Sequence, residues 1–265
     1  MTPPLAHRRE GHGAPVVFAN GGMMSFGAWE PVAAPLRPEW ATLLFDFRGQ
    51  LLSPGEPPPD LAGHADDLAA LLDAIGWESA HLVGTSFGAL VAVTFAARHP
   101  ERARSLLLVT AMDRATPGFA REVAGLRAAL AAIADGAPRE PFWDLLVAGV
   151  YSDGHRAAEA DALAARRRQV GALPAAWFTG LDRLLAAVEG FDLGASLPSV
   201  RCPATVALAA GDRVMDAARG RALAAALGAE VVVHPTAGHA LINEDPLWLA
   251  ALCRQALARA EENRR

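Results

Sequence analysis

Ser86 stands between two glycines in Gly84-Thr85-Ser86-Phe87-Gly88, where the apolar run His81-Leu82-Val83 passes into Ala89-Leu90-Val91-Ala92. A sharp strand-to-helix turn at that point would force the serine into a strained backbone conformation and raise its hydroxyl above a sheet. The helix N-terminus behind it favours developing negative charge. A serine hydroxyl alone is a poor nucleophile. It needs a base within hydrogen-bond reach and a carboxylate to orient that base. Among the eight histidines, His239 in Pro235-Thr236-Ala237-Gly238-His239 follows the last strand-like run, where a loop can return the ring over the strand ends. His81 at a strand start, His99 before Pro100 and His64 on an amphipathic helix read as structural residues. For the carboxylate, one loop offers both Asp212 and Asp216. Acyl chemistry also requires donors for an oxyanion. The Phe87 N–H is one, and Gly22 in the flexible Gly21-Gly22-Met23 turn supplies the other, with Met23 one position on as the alternative.

Positioning these groups calls for a parallel sheet with crossover helices, and the chain has that rhythm. Val16–Ala19, Thr42–Asp46, His81–Gly84 and Ser105–Thr110 read as strands in the first half, with helices at Leu61–Ile75 and Ser86–Ala97. Thr205–Ala209 and Glu230–Val233 continue the strands, with helices over Ala217–Leu227 and from Pro246 to about Ala260. Between them the rhythm stops. Phe119–Ala134, Pro141–Val150, Arg156–Leu173 and Ala175–Val188 have helical period, and a structureless loop of ~90 residues inside one core would be improbable. The expectation is a core of residues 1–113 and 201–265 carrying a helical cap at 114–200.

Composition removes whole reaction classes. The chain of 265 residues contains no lysine, which excludes Schiff-base catalysis and the phosphate-binding lysine of a P-loop. A net charge of −5 with scattered arginines argues against nucleic acid as a partner. Cys202 and Cys253 form no disulfide framework or metal spacing, so neither metal nor cofactor is expected. No apolar run reaches the ~18 residues of a membrane span, and no secretory segment is visible, so a cytoplasmic location is expected.

The chain resembles the α/β-hydrolase superfamily over essentially its full length. The resemblance rests on Asn20-Gly21-Gly22, Asp46-Phe47-Arg48-Gly49-Gln50-Leu51-Leu52-Ser53, the turn at Ser86, Asp212-Arg213-Val214 and Gly238-His239, which occur in the family's order. It implies an α/β-hydrolase fold: a mostly parallel central sheet flanked by helices, with a helical cap inserted before the penultimate strand. Matching Ala209-Ala210-Gly211-Asp212 to the family's G-x-x-D implies Asp212 as the acid. Some relatives carry theirs at the position of Asp113. Asn20 stands where relatives usually have His, and Leu51 replaces the second glycine of the second motif. Asp46 then reads as a turn stabiliser acting with Arg48. Ser86 rules against the dehalogenase and epoxide-hydrolase branches, which carry Asp there.

The resemblance implies a serine hydrolase cleaving a carboxylic ester, lactone or thioester, using Ser86, His239 and Asp212. Passage of the acyl group to an alcohol or thiol acceptor is the alternative, and a non-catalytic ligand-binding member of the fold is another. A small, apolar acyl substrate is expected to meet Met23, Trp143, Trp177 and Phe178. Arg166-Arg167-Arg168 reads as a solvated helix face.

Overall fold

Runs such as Val16-Val17-Phe18-Ala19 and Leu106-Leu107-Leu108-Val109 are apolar at every position, so each strand must be covered on both faces. The computed structural model, which describes residues 5–53 and 55–264, shows how. The strands are β1 (His7–Glu10), β2 (Ala14–Ala19), β3 (Trp40–Phe45), β4 (Ala80–Thr85), β5 (Ala103–Val109), β6 (Ala204–Ala209) and β7 (Glu230–His234). They form one sheet in the order β1-β3-β2-β4-β5-β6-β7. Every pairing is parallel except that of β1 with β3.

The helices are α1 (Glu30–Ala33), α2 (Leu61–Ala74), α3 (Phe87–Arg98), α4 (Pro117–Ala134), α5 (Glu140–Val150), α6 (Asp153–Ala158), α7 (Ala160–Gly171), α8 (Ala175–Ala186), α9 (Ala217–Leu227), α10 (Leu241–Glu244) and α11 (Pro246–Glu262). Alternate strand residues feed two cores. Val17, Leu82, Leu106 and Leu108 pack with α2 and α3, whereas Phe18, Val83, Leu107 and Val109 pack with α1 and α11. Helices α4 to α8 lie between β5 and β6. Where the chain leaves and rejoins the sheet, Ala115 N–H donates to Phe191 O and Leu193 N–H to Asp113 O, each at 2.8 Å.

Two details differ from the sequence reading. The segment His7–Glu10 was not anticipated as a strand, because its charged residues alternate between exposed and half-buried at the sheet edge. Such charges protect an edge from further pairing. The helix expected over Arg156–Leu173 is two helices, broken at Glu159, whose φ of −109° and ψ of 24° leave the helical region; the first of them starts earlier, where the Ser152 hydroxyl accepts from His155 N–H. Residues 1–4, Pro54 in the Pro-rich loop and Arg265 lie outside the described residues. No helix among the described residues is long and apolar enough to cross a membrane.

Candidate active site

Ser86 has φ 52° and ψ −120°, a conformation that side chains rarely adopt. It is held by what surrounds it. Its N–H donates to Val109 O at 3.0 Å, and its carbonyl accepts from Ala89 and Leu90 at the start of α3. A Cβ on Gly84 would lie 2.5 Å from Gly88 O, and one on Gly88 would lie 2.2 Å from Ala19 O. Only glycine fits at either position. The two glycines therefore let α3 press against β2 and β4, which forces the serine between them to the top of the sheet.

His239 follows β7 on a loop and brings Nε2 to 3.0 Å from Ser86 Oγ. Its Nδ1 lies 3.0 Å from Asp212 Oδ2. Asp212 follows β6, and its other oxygen accepts from the N–H groups of Val214 at 2.8 Å and Met215 at 2.9 Å. Both side chains are almost covered, at 10% and 5% exposed. The Gly211 N–H donates to Ala237 O, which ties the aspartate loop to the histidine loop. These groups come from the C-terminal ends of three parallel strands, where open α/β sheets gather their ligands.

The other two aspartates are engaged elsewhere. Asp113 is buried and faces the Arg219 guanidinium, with Nε at 2.7 Å from Oδ1. Asp216 caps α9 by accepting from Arg219 N–H. Asp46 does not act with Arg48, which pairs instead with Asp67. Its carboxylate accepts from Asn20, Ser25, Phe26 and Leu52, and burial nevertheless pushes its pKa upward. His64 and His81 are buried, and desolvation lowers each to about 4, which keeps them neutral.

Phe87 and Gly22 face the same space as Ser86. Two compartments meet there. One is narrow, about 70 Å³, and apolar, lined by Phe119, Val123, Leu126, Leu184 and Val188 among others. The second is wide, about 530 Å³, and includes Ser25, Trp143, Tyr151, Arg166 and Asn243. Met23 borders both. Trp177 and Phe178 border neither, contrary to the sequence reading. Trp177 lines a separate groove with Leu51 and Arg183, and Phe178 is buried beneath the Arg139 guanidinium, 4.9 Å from its ring centroid. The hydrophobic face of α8 packs inward, so its aromatics serve the core. Of the arginine run, Arg167 pairs with Asp144, while Arg166 faces the wide compartment near the Tyr151 hydroxyl.

Two polar residues that the sequence reading did not single out shape this site. Glu244 accepts from Gly238 N–H and Ser152 N–H with one oxygen and from the Ser152 hydroxyl with the other, joining the His239 loop to the start of α6. Gln50 contacts the carbonyls of Gly21 and Gly22. Neither has a local sequence signal, since Glu244 reaches Ser152 across 92 positions and Gln50 reaches Gly22 across 28. Among the described residues no group of three or more His, Cys, Asp or Glu could hold a metal ion.

A family model described as "alpha/beta hydrolase fold" matches residues 14–246. A Chromobacterium violaceum protein named pimeloyl-[acyl-carrier protein] methyl ester esterase is 34% identical over 239 residues, covering 87% of this chain and 89% of that protein. A Caulobacter vibrioides protein named for carbamate hydrolysis is 35% identical over 118 residues, 42% of this chain and only 44% of its own length. A solved α/β hydrolase enzyme from a Medee basin deep-sea metagenome library superposes with a TM-score of 0.89 at 21% identity, covering 96% of this chain and 94% of that one.

Proposed function

The chain belongs to the α/β hydrolase fold family, and from that premise we propose that it is a serine hydrolase of carboxylic esters, lactones or thioesters. One observation carries the reading: the unbroken line Ser86 Oγ, His239, Asp212, with 3.0 Å at each step. His239 takes the hydroxyl proton as Ser86 attacks the acyl carbon. Asp212 holds the ring in place and stabilises its positive charge. The oxyanion lies between the Phe87 and Gly22 N–H groups, and neither donates to a protein acceptor among the described residues. Protonated His239 then gives its proton to the departing alcohol or thiol. The same ring next activates a water that cleaves the acyl-enzyme and frees Ser86.

In this reading helices α4 to α8, within residues 114–200, act as the cap over a small-molecule substrate. The apolar acyl group occupies the narrow compartment. The leaving group must depart while the acyl group is still tethered, so it occupies the wider one, beside Met23 and Trp143. The methyl ester esterase among the relatives supports ester chemistry. A reducing cytoplasm suits the two unpaired cysteines.

The test is turnover of a panel of activated esters, with fluorophosphonate labelling, by the wild-type protein and Ser86→Ala. Wild-type turnover and labelling, with a loss of up to ~10⁶ in the variant, are expected. Undiminished turnover by Ser86→Ala would refute the assignment. Weighing products in the presence of an alcohol or thiol separates hydrolysis from acyl transfer: an acyl-acceptor product exceeding free acid would move the reading to an acyltransferase.

A further inference from the structure

The Gly21-Gly22-Met23 turn contains two consecutive glycine peptides, each free to rotate unless something holds it. Gln50 does so. It is 3% exposed, and its Nε2 donates to Gly21 O at 2.8 Å and Gly22 O at 3.2 Å. Its Oε1 accepts from Asn20 Nδ2 and Phe47 N–H, each at 2.9 Å. The amide thus uses both donor hydrogens and both acceptor sites. Asn20 gives its second hydrogen to Asp46 Oδ1 at 3.0 Å. A directed line therefore runs from a buried carboxylate through two amides to two carbonyls. Its sense is fixed, because turning the Asn20 amide over would set its oxygen against the Asp46 carboxylate. Turning Gln50 over would set its NH₂ against the Phe47 N–H and the Asn20 NH₂.

In a trans peptide the C=O and the following N–H point in opposite directions. Drawing the Gly21 carbonyl toward Gln50 turns the Gly22 N–H the other way, and the hold on Gly22 O does the same for Met23. Away from Gln50, Gly22 approaches Phe87, since a Cβ on Gly22 would lie 3.9 Å from Phe87 Cβ. Gly22 and Met23 both border the space above Ser86. The Phe87 N–H needs no comparable device, because the first turn of α3 already aims it. We propose that Gln50 is a positioning residue: it locks the peptide between Gly21 and Gly22 so that the Gly22 N–H meets the oxyanion of the acyl substrate. This rests on the ester-cleaving reading above.

The experiment compares wild type, Gln50→Met and Gln50→Glu on a matched pair of substrates, an activated ester and its thionoester, with thermal melts on each protein. Gln50→Met keeps the side-chain length and removes every polar atom. Gln50→Glu keeps the acceptor for Asn20 and Phe47 but loses the donor to the glycine carbonyls. The expected result is a fall in kcat of about 10²-fold on the oxygen ester with KM shifted less than about threefold. The preference for oxygen ester over thionoester should shrink with it, because sulfur profits little from an oxyanion site. A general loss of folded protein would lower both rates together and leave that preference unchanged. Folded variants with wild-type kcat and wild-type preference would overturn the proposal. If both variants unfold, the wild-type structure with a boronic acid on Ser86 decides. A boronate oxygen bonded to Gly22 N–H, with Gln50 still on the carbonyls, supports it, and a Gly22 N–H turned away overturns it. Wild-type protein that turns over neither substrate nor any activated ester would refute the preceding functional reading instead.

Discussion

Replacing Asp212 by Asn tests the order of roles within the Ser86 line more sharply than deleting the serine. The carboxylate uses one oxygen for Val214 and Met215 N–H and the other for His239 Nδ1. An asparagine must keep its carbonyl oxygen on the two backbone donors, since the alternative faces N–H against NH₂. Its NH₂ then points at His239 Nδ1 and donates. The ring is driven into the tautomer that carries its hydrogen on Nε2, so it presents a donor to Ser86 Oγ where a base is needed. The magnitude has a second source. Opposite charges 3.0 Å apart interact by about 5.5 kcal/mol at an effective dielectric near 20, and this stabilisation of the imidazolium disappears. At 1.36 kcal/mol per decade, that is about 10⁴ in rate. The assay is kcat on an activated ester near neutral pH, with a thermal melt beside it. We expect a loss of about 10⁴ with little change in melting temperature, because the turn bonds to Val214 and Met215 survive. Turnover within tenfold of wild type would refute the reasoning.

Asp113→Asn should leave kcat within about twofold of wild type while costing on the order of 2 kcal/mol of stability, because it breaks a buried carboxylate's pairing with Arg219, read by urea unfolding. A larger loss of activity than of stability would return Asp113 to the site. Gly88→Ala places a methyl 2.2 Å from Ala19 O and must push β2 and the adjoining Gly21-Gly22 turn aside, so both the melting temperature and kcat should fall, the former by an overpacking cost of about 1–3 kcal/mol. Wild-type melting would contradict it. Stability should also decline with acid before the carboxylates titrate. His64 and His81 are held neutral in the fold at about 4, whereas the unfolded chain protonates them near 6.5. The stability is fully present above pH 6.5 and is lost as pH falls toward 4, by about 2 kcal/mol per histidine between pH 6.5 and 5. Urea midpoints at pH 7 and 5 read this directly, and equal midpoints would refute it.

The strand-to-helix turn at Ser86 was legible because its causes are local: glycines two positions either side of the serine, a continuous apolar strand before and a helical run after. Strands β2 to β6 were legible for the same reason, since a strand buried on both faces must be apolar throughout. The edge strand β1 was not, because its existence depends on pairing with β3 across more than thirty residues and its own composition is charged. The break at Glu159 was hidden by a helical period that continues across it, and only the backbone of Glu159, at φ −109° and ψ 24°, separates the two segments.

Composition and short-range pattern by themselves determined a parallel sheet with crossover helices and a helical interruption, the strand-to-helix turn at Ser86 and a short list of groups able to serve it. Only the tertiary structure decided which of them lie together, because hydrogen bonds and charge pairs form between residues that the sheet order brings together. Asp212 meets His239, whereas Arg219 engages Asp113 and the N-terminus of α9 engages Asp216. Trp177 and Phe178 are drawn from the compartments at Ser86 by the inward face of α8, and Gln50 reaches the glycine turn across 28 positions. A side chain's type limits the bonds it can make, whereas the partner it bonds is set by the three-dimensional arrangement of the strands.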